Sequence, residues 1–237
     1  MGLRMEIKTV PTKRAADWIP PLENGDHLTA SEFHRRYEAM PENIRAELIE
    51  GIVHLSSPVR HYRHGKPHVQ LSGWILAYAA ATPQVDYSDN ATVFLAPNSE
   101  AQPDLILRLE PQNGGNSRVL AEDYIQGAPE LIIEIAASSA SIDLYEKRTL
   151  YEKNGVHEYI VWRTEDHALD WFRLRAGKYE RVEPDAEGLI RSEVFPGLWL
   201  AVNKLLAGDL AGVLAELQKG IASPEHAAFV EKLTSQA

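Results

Sequence analysis

The 237-residue chain contains no cysteine. That one absence excludes a disulfide framework, a thiol nucleophile and a thiolate zinc site. Long apolar runs are missing too; none approaches the ~18–20 residues of a membrane-spanning helix. The opening stretch, MGLRMEIKTVPTKRAADW, has no apolar segment of the kind a secretory leader carries, so a cytoplasmic location without membrane contact is expected. Positive charge is in deficit. Lys and Arg number 24 against 34 Asp and Glu, which sets the formal net charge at −10 and the pI near 5.4. A protein that binds nucleic acid with its whole surface is thereby excluded, and any phosphate contact must come from a local patch. There is no Walker loop, no G-x-G-x-x-G and no G-x-S-x-G. What is present is ordinary for a folded domain with a real core. At 44% hydrophobic and 24% charged, a disordered chain is excluded.

Along the chain, residues 1–27 read as an extended lead-in, with Pro11, Pro20, Pro21 and Gly25 and little periodicity. Thr29 and Glu32 form a capping box for a helix that carries Phe33 and Tyr37 on one face and ends at Met40-Pro41. A hairpin is expected over 47–55 with Glu50-Gly51 as its two-residue turn. A long helix is expected over 65–81, with Leu71, Trp74, Ile75 and Tyr78 as its apolar stripe. Strands are expected over 91–95 and 104–109, followed by a loop at 114–117. The run 131–136 is apolar apart from Glu134, as in a strand buried on both faces. A helix over 141–154 stops at Gly155. Strands over 156–162, 169–174, 179–182 and 189–194 read as a meander, and 203–219 and 224–235 as two amphipathic helices. The order points to an α/β or α+β protein with a mixed sheet.

Acids stand where acids are energetically unfavourable. Asp104 opens the strand Gln-Pro-Asp-Leu-Ile-Leu, and Glu134 lies inside Glu-Leu-Ile-Ile-Glu-Ile-Ala-Ala. A lone desolvated carboxylate would destabilise either strand. Such groups persist when paired, protonated or bound to a cation. Carboxylates on adjacent strands can converge on one hard divalent ion with oxygen ligands. Such an ion activates water and stabilises charge on a phosphodiester. The competing reading pairs Glu134 with an Arg or Lys. Downstream, Asp143 and Lys147 share a helix face; a surface ion pair is the favoured reading, and a lysine aimed back at Glu134 the alternative.

The segment Arg60-His-Tyr-Arg-His-Gly-Lys-Pro-His68 holds three cations and three histidines without an acid, just before a helix N-terminus. Arg60, Arg63, His64 and Lys66 are the candidates for contact with a nucleic-acid backbone; a solvated loop is the bland alternative. His64 and His68 are four apart, as in metal sites, but no acid or cysteine lies at a ligand-like interval. The aromatic residues Tyr145, Tyr151, Tyr159, Trp162, Trp171 and Tyr179 read as core rather than a stacking platform.

Taken in order, these pieces resemble a known family. Glu47-Leu-Ile-Glu-Gly51, Ser57-Pro58, His64-Gly65 before a helix, and Pro103-Asp104 come first. Gly127-Ala-Pro-Glu-Leu-Ile-Ile-Glu-Ile135, Asp143-x-x-x-Lys147-x-x-x-Tyr151, Gly155-Val-His-Glu-Tyr-Ile-Val-Trp162 and Phe195-Pro-Gly-Leu198 follow. The set resembles the Uma-type restriction endonuclease family, a bacterial branch of the PD-(D/E)XK nucleases, over roughly residues 28–200. The resemblance implies an α/β, restriction-endonuclease-like core with a mixed sheet flanked by helices over 28–202, and a helical extension over 203–237 outside it. It implies a Mg²⁺- or Mn²⁺-dependent nuclease acting on DNA, expected here as a homodimer. Asp104 and Glu134 match the metal-binding acids, Glu47 the upstream acid, and Lys147 a lysine moved from the strand to the following helix. The usual lysine position, two after Glu134, is Ala136 here. Ala137 and Ser139-Ala140 also depart from the family's loop. Either Lys147 substitutes, or hydrolysis is weak or lost; the second case leaves a nuclease-fold module that binds nucleic acid or a protein partner.

Overall fold

The computed structural model describes residues 18–235; the part of the expected lead-in over 1–17 lies outside them. Thr29 caps α1 (Ala30–Tyr37), its hydroxyl accepting the Glu32 N–H at 3.3 Å. Phe33 and Tyr37 stack on the inward face, ring centroids 5.5 Å apart. The helix ends at Tyr37, short of the expected Met40-Pro41 break. β1 (Ala46–Ile49) and β2 (Ile52–Leu55) then pair antiparallel through Glu50-Gly51. Their φ values of 49° and 85° suit the turn that matches strand twist.

One π-helical turn, His61–Gly65, feeds α2 (Lys66–Ala81). Leu71, Trp74, Ile75 and Tyr78 form its buried stripe as the spacing predicts. β3 (Val85–Asp89), β4 (Val93–Ala96), β5 (Ser99–Ala101) and β6 (Leu105–Leu109) follow. After them come β7 (Ser117–Val119), β8 (Ile125–Gly127) and the fully buried β9 (Leu131–Ala136). A second π-helical segment, Ile142–Lys147, runs into α3 (Arg148–Asn154), which Gly155 closes in the left-handed region at φ 83°.

β10 (Glu158–Arg163), β11 (Ala168–Arg175) and β12 (Lys178–Val182) form the expected meander. The fourth expected strand does not join it. β13 (Leu189–Arg191) pairs instead with β14 (Trp199–Ala201). The strand breaks at Ser192, whose hydroxyl donates to Glu158 at 2.6 Å and accepts the Phe195 N–H at 2.9 Å. The helix expected over 203–219 is two: α4 (Val202–Leu206) and α5 (Leu210–Ile221). Gly208, at φ 78°, turns the chain between them, and Asp209 caps α5 through the Gly212 N–H. α6 (Pro224–Ser235) ends the described chain.

Two six-stranded mixed sheets result. One runs β12-β11-β10-β9-β6-β3, the other β2-β1-β5-β4-β8-β7. β9 and β10 pair in parallel, joined through α3. α2 covers one face of the first sheet, and Leu205, Val213, Leu217 and Leu233 of the last three helices share its core with Trp74, Leu107 and Ile133. Leu150, Tyr151, Ile132 and Tyr159 pack on the other face. The mixed α/β architecture is the one expected. No helix among the described residues is long and apolar enough to cross a membrane.

Gly127 ends β8 at φ 95°, and a Cβ there would stand 2.3 Å from the Asn116 carbonyl oxygen. Gly127→Ala therefore combines left-handed backbone with a main-chain clash. It is expected to lose about 2–4 kcal/mol of stability, read as a lower urea midpoint. An unchanged midpoint would show that the Asn116 loop yields freely.

Candidate active site

Asp104 stands immediately before β6, and Leu105 pairs with Ile133 of antiparallel β9. One further step of that register puts Asp104 opposite Glu134. The two acids expected on adjacent strands are thus neighbours. One Asp104 oxygen accepts the Ile135 N–H at 2.7 Å, and the other lies 3.1 Å from His64 Nε2. Burial pushes the Asp104 carboxyl up. The His64 ring, the Ile135 N–H and the Lys147 charge outweigh it and hold the group below its ordinary value.

Glu47 enters from β1 in the second sheet. One oxygen accepts the Gln102 N–H at 2.7 Å, and the other lies 2.9 Å from Lys147 Nζ. Lys147 sits at the end of the second π-helical segment, whose wider turn is a common feature of functional sites. Its ammonium donates to Glu134 at 3.0 Å and lies 3.8 Å from Asp143. Tyr151, one turn further on, donates its hydroxyl to the same Glu134 oxygen at 2.8 Å. Asp143 accepts the Ser139 hydroxyl at 2.6 Å.

The structure overturns the surface ion pair favoured for Asp143 and Lys147. They are 2% and 5% exposed, because α3 packs its Leu150–Tyr151 side against the sheet and draws the preceding turn inward. Lys147 points back at Glu134 instead, and also reaches Glu47.

Three carboxylates, those of Glu47, Glu134 and Asp143, therefore share one lysine, and Asp104 stands next to Glu134. Burial drives the Glu134 carboxyl well above its ordinary value; Lys147 pulls it back, while Asp143, Asp104 and Glu47 push it further up. Burial likewise raises Asp143 to about 6 against the pull of Lys147 and Ser139. Burial alone would lower Lys147, but Glu134, Glu47 and Asp143 carry it well above the usual lysine range. Glu134 and Asp143 therefore hold their protons more tightly than free carboxyls do, and Lys147 holds its charge.

The donor set suits a hard divalent ion: carboxylate oxygens and no sulfur. Among the described residues, no three His, Asp or Glu side chains surround a common metal position. The reason is visible: the Lys147 ammonium stands between Glu47 and Glu134, and both Asp104 oxygens are engaged. The residues fit the ion in the chemistry of their oxygen donors.

Of the basic segment, Arg60, Arg63 and Lys66 are exposed, and Arg63 pairs with Glu165 at 2.6 Å. His64 turns inward to Asp104, and His68 Nε2 lies 3.0 Å from the Asp104 carbonyl oxygen. The first π-helical turn thus anchors the start of the Asp104 strand. Sequence reasoning passed over His54, which lies directly across β1–β2 from Glu47, with Nε2 3.2 Å from Glu146. The Glu50-Gly51 turn fixes that register, so the signal was present. Tyr151, read as core, is both core and Glu134 ligand.

A family model described as "Uma2: Putative restriction endonuclease" matches residues 30–203. Among solved structures, the chain is similar to one described as a putative nuclease belonging to DUF820 from Anabaena variabilis. The likeness has a TM-score of 0.54 at 16% identity and covers 73% of this chain and 96% of that one. At that identity it speaks for the fold alone. No protein of curated description matches the chain.

Proposed function

The chain belongs to the Uma2 restriction-endonuclease family, and from that premise we propose that it is a divalent-ion-dependent endonuclease hydrolysing DNA phosphodiester bonds, acting in the cytoplasm as a homodimer. The observation that carries the reading is the bridging of Glu47 and Glu134 by the buried Lys147, with Asp104 beside Glu134 and bound to the Ile135 N–H. Asp104 and Glu134, with Glu47, are the residues to hold Mg²⁺ or Mn²⁺. Bound there, such an ion supplies charge stabilisation on the phosphate and a more acidic water.

The chain's own groups do the rest. The Ile135 N–H and His64 fix the Asp104 carboxylate in place. Tyr151 holds one Glu134 oxygen, leaving the other to a ligand. Lys147 brings the one full positive charge that offsets charge developing on the phosphate in an in-line attack. Arg60, Arg63 and Lys66 lie exposed at the start of α2, where they meet the DNA backbone.

Purified protein is expected to nick or cut plasmid DNA with Mg²⁺ or Mn²⁺ and to stop when the ion is chelated. Absence of cleavage with both ions, in protein shown to be folded, overturns the reading. Ala136 in place of the strand lysine, and the Lys147 bridge between Glu47 and Glu134, favour a second reading: a nuclease-fold module that binds nucleic acid or a protein without cutting. Calorimetry separates the two. Partner binding without any heat of divalent-ion binding supports the second.

A further inference from the structure

α2 is apolar on more than its buried side. Its sixteen residues include one lysine, Lys66, and no Asp, Glu or Arg. Helices of that composition are ordinarily enclosed on all sides. Here the exposed positions within the helix are Lys66, Val69, Gly73, Leu76 and Ala80, a spacing of three and four that forms one narrow seam. Tyr62 continues it across the π-helical turn. Tyr62, Val69 and Leu76 are 79%, 69% and 50% exposed.

Gly73, at the centre of the seam, has no internal justification. Its backbone is ordinary right-handed helix, and a Cβ added there would meet nothing within 4 Å. A mid-helix glycine loosens the helix relative to alanine. Nothing among the described residues uses the space that it leaves open. A bare backbone at the middle of an apolar seam is what a close helix crossing requires.

We propose that α2 packs against α2 of a second copy of this chain, antiparallel, crossing at Gly73. In that arrangement Val69 of each copy meets Leu76 of the other, so the seam complements itself, as a two-fold contact must. Nucleic acid is a poor occupant, because from Val69 to Ala80 the seam carries no cation. A stable dimer buries roughly 800 Å² per partner, and a helix strip ~25 Å long and ~10 Å wide supplies about a third of that. Two further exposed apolar side chains lie on neighbouring elements. Val59 is exposed near its start, and Tyr87 on edge strand β3 is 47% exposed on the face that α2 covers, opposite Leu107. The seam gives the proposed homodimer its contact surface and stands only if that dimer forms.

Sedimentation velocity of the full chain over a wide concentration range tests this, alongside Gly73→Ala and Leu76→Glu and a thermal melt of each. The wild type is expected to associate to a dimer and Leu76→Glu to remain monomeric. Gly73→Ala is the sharper probe. In an isolated chain its methyl enters open space and favours the helix, so the melt of the dissociated protein should hold or rise. At a close crossing the same methyl intrudes, and self-association should weaken about tenfold or more. A wild-type dimer whose two variants associate as tightly as it does overturns the seam and leaves the dimer to another surface. A monomeric wild type overturns both. Should Leu76→Glu fail to fold, Gly73→Ala decides alone.

Discussion

Lys147→Met is expected to lose about 3–5 kcal/mol of stability at neutral pH and all measurable cleavage. Methionine retains most of the stem's volume, so packing around the helix is largely kept. What disappears is the one full charge that Glu47, Glu134 and Asp143 share. Buried carboxylates left without it must be protonated or hydrated, and either perturbs the fold.

The pH dependence gives the test its sign. Burial raises the folded-state Asp143 carboxyl from 3.8 to about 6, and Glu134 moves in the same direction. An acid with a raised pKa binds its proton more tightly in the folded state than in the unfolded chain. Its ionisation therefore destabilises the fold. The penalty is absent below the unfolded value, grows as pH rises through the folded value, and is complete above it. Without Lys147 both groups shift further up. The deficit of Lys147→Met should then shrink as pH falls from about 7.5 to about 5. Asp104 also loses the pull of Lys147 in the variant and moves in the same direction. Urea denaturation at the two pH values measures the effect. An equal deficit at both would assign the loss to packing and sink the electrostatic account.

Glu134→Gln is expected to separate stability from chemistry. The amide has nearly the carboxylate's shape, and its oxygen can still accept from Tyr151 and Lys147. It removes one of three acids that share a single lysine, so metal-free stability should hold or rise. Cleavage should fall by at least ~100-fold, since a charged ligand oxygen is lost from the site. The wild type should gain thermal stability from Mg²⁺ or Mn²⁺ by mass action, and the variant should not. A variant that keeps the full ion-induced shift would mean that Glu134 does not hold the ion, and the proposed metal site would have to be abandoned.

The strand around Glu134 was readable because six consecutive buried residues leave a run that is apolar apart from that one acid. The helix that carries Lys147 was readable because Gly155 marks its end. Strands such as Val85–Asp89 and Ser99–Ala101 were not. They are short or lie at an edge, and their polar residues satisfy only the pairing that neighbouring strands impose. The fate of Leu189–Arg191 turned on a distant partner, β14, and on the Ser192–Glu158 bond, neither visible locally.

The site divides in the same way. Sequence singled out Asp104 and Glu134, because an acid in an apolar strand is anomalous by itself. It could not say whether Lys147 faced water, since four-residue spacing is equally good for a surface pair and a buried one. Nor could it turn His64 inward, because nothing in Arg60–His68 encodes the approach of the Asp104 strand.

The order of residues alone thus settled which segments must be buried, where the turns fall and which acids are out of place. Those follow from short-range rules: apolar periodicity, glycine at positive φ, and the desolvation of charge. The assembly of Glu47, Asp104, Glu134 and Lys147 was decided only when two sheets and a π-helical turn were packed together. Residues 47 to 147 meet there because burying the apolar faces of the sheets brings their charged ends to the same place. An isolated segment has no means of expressing that.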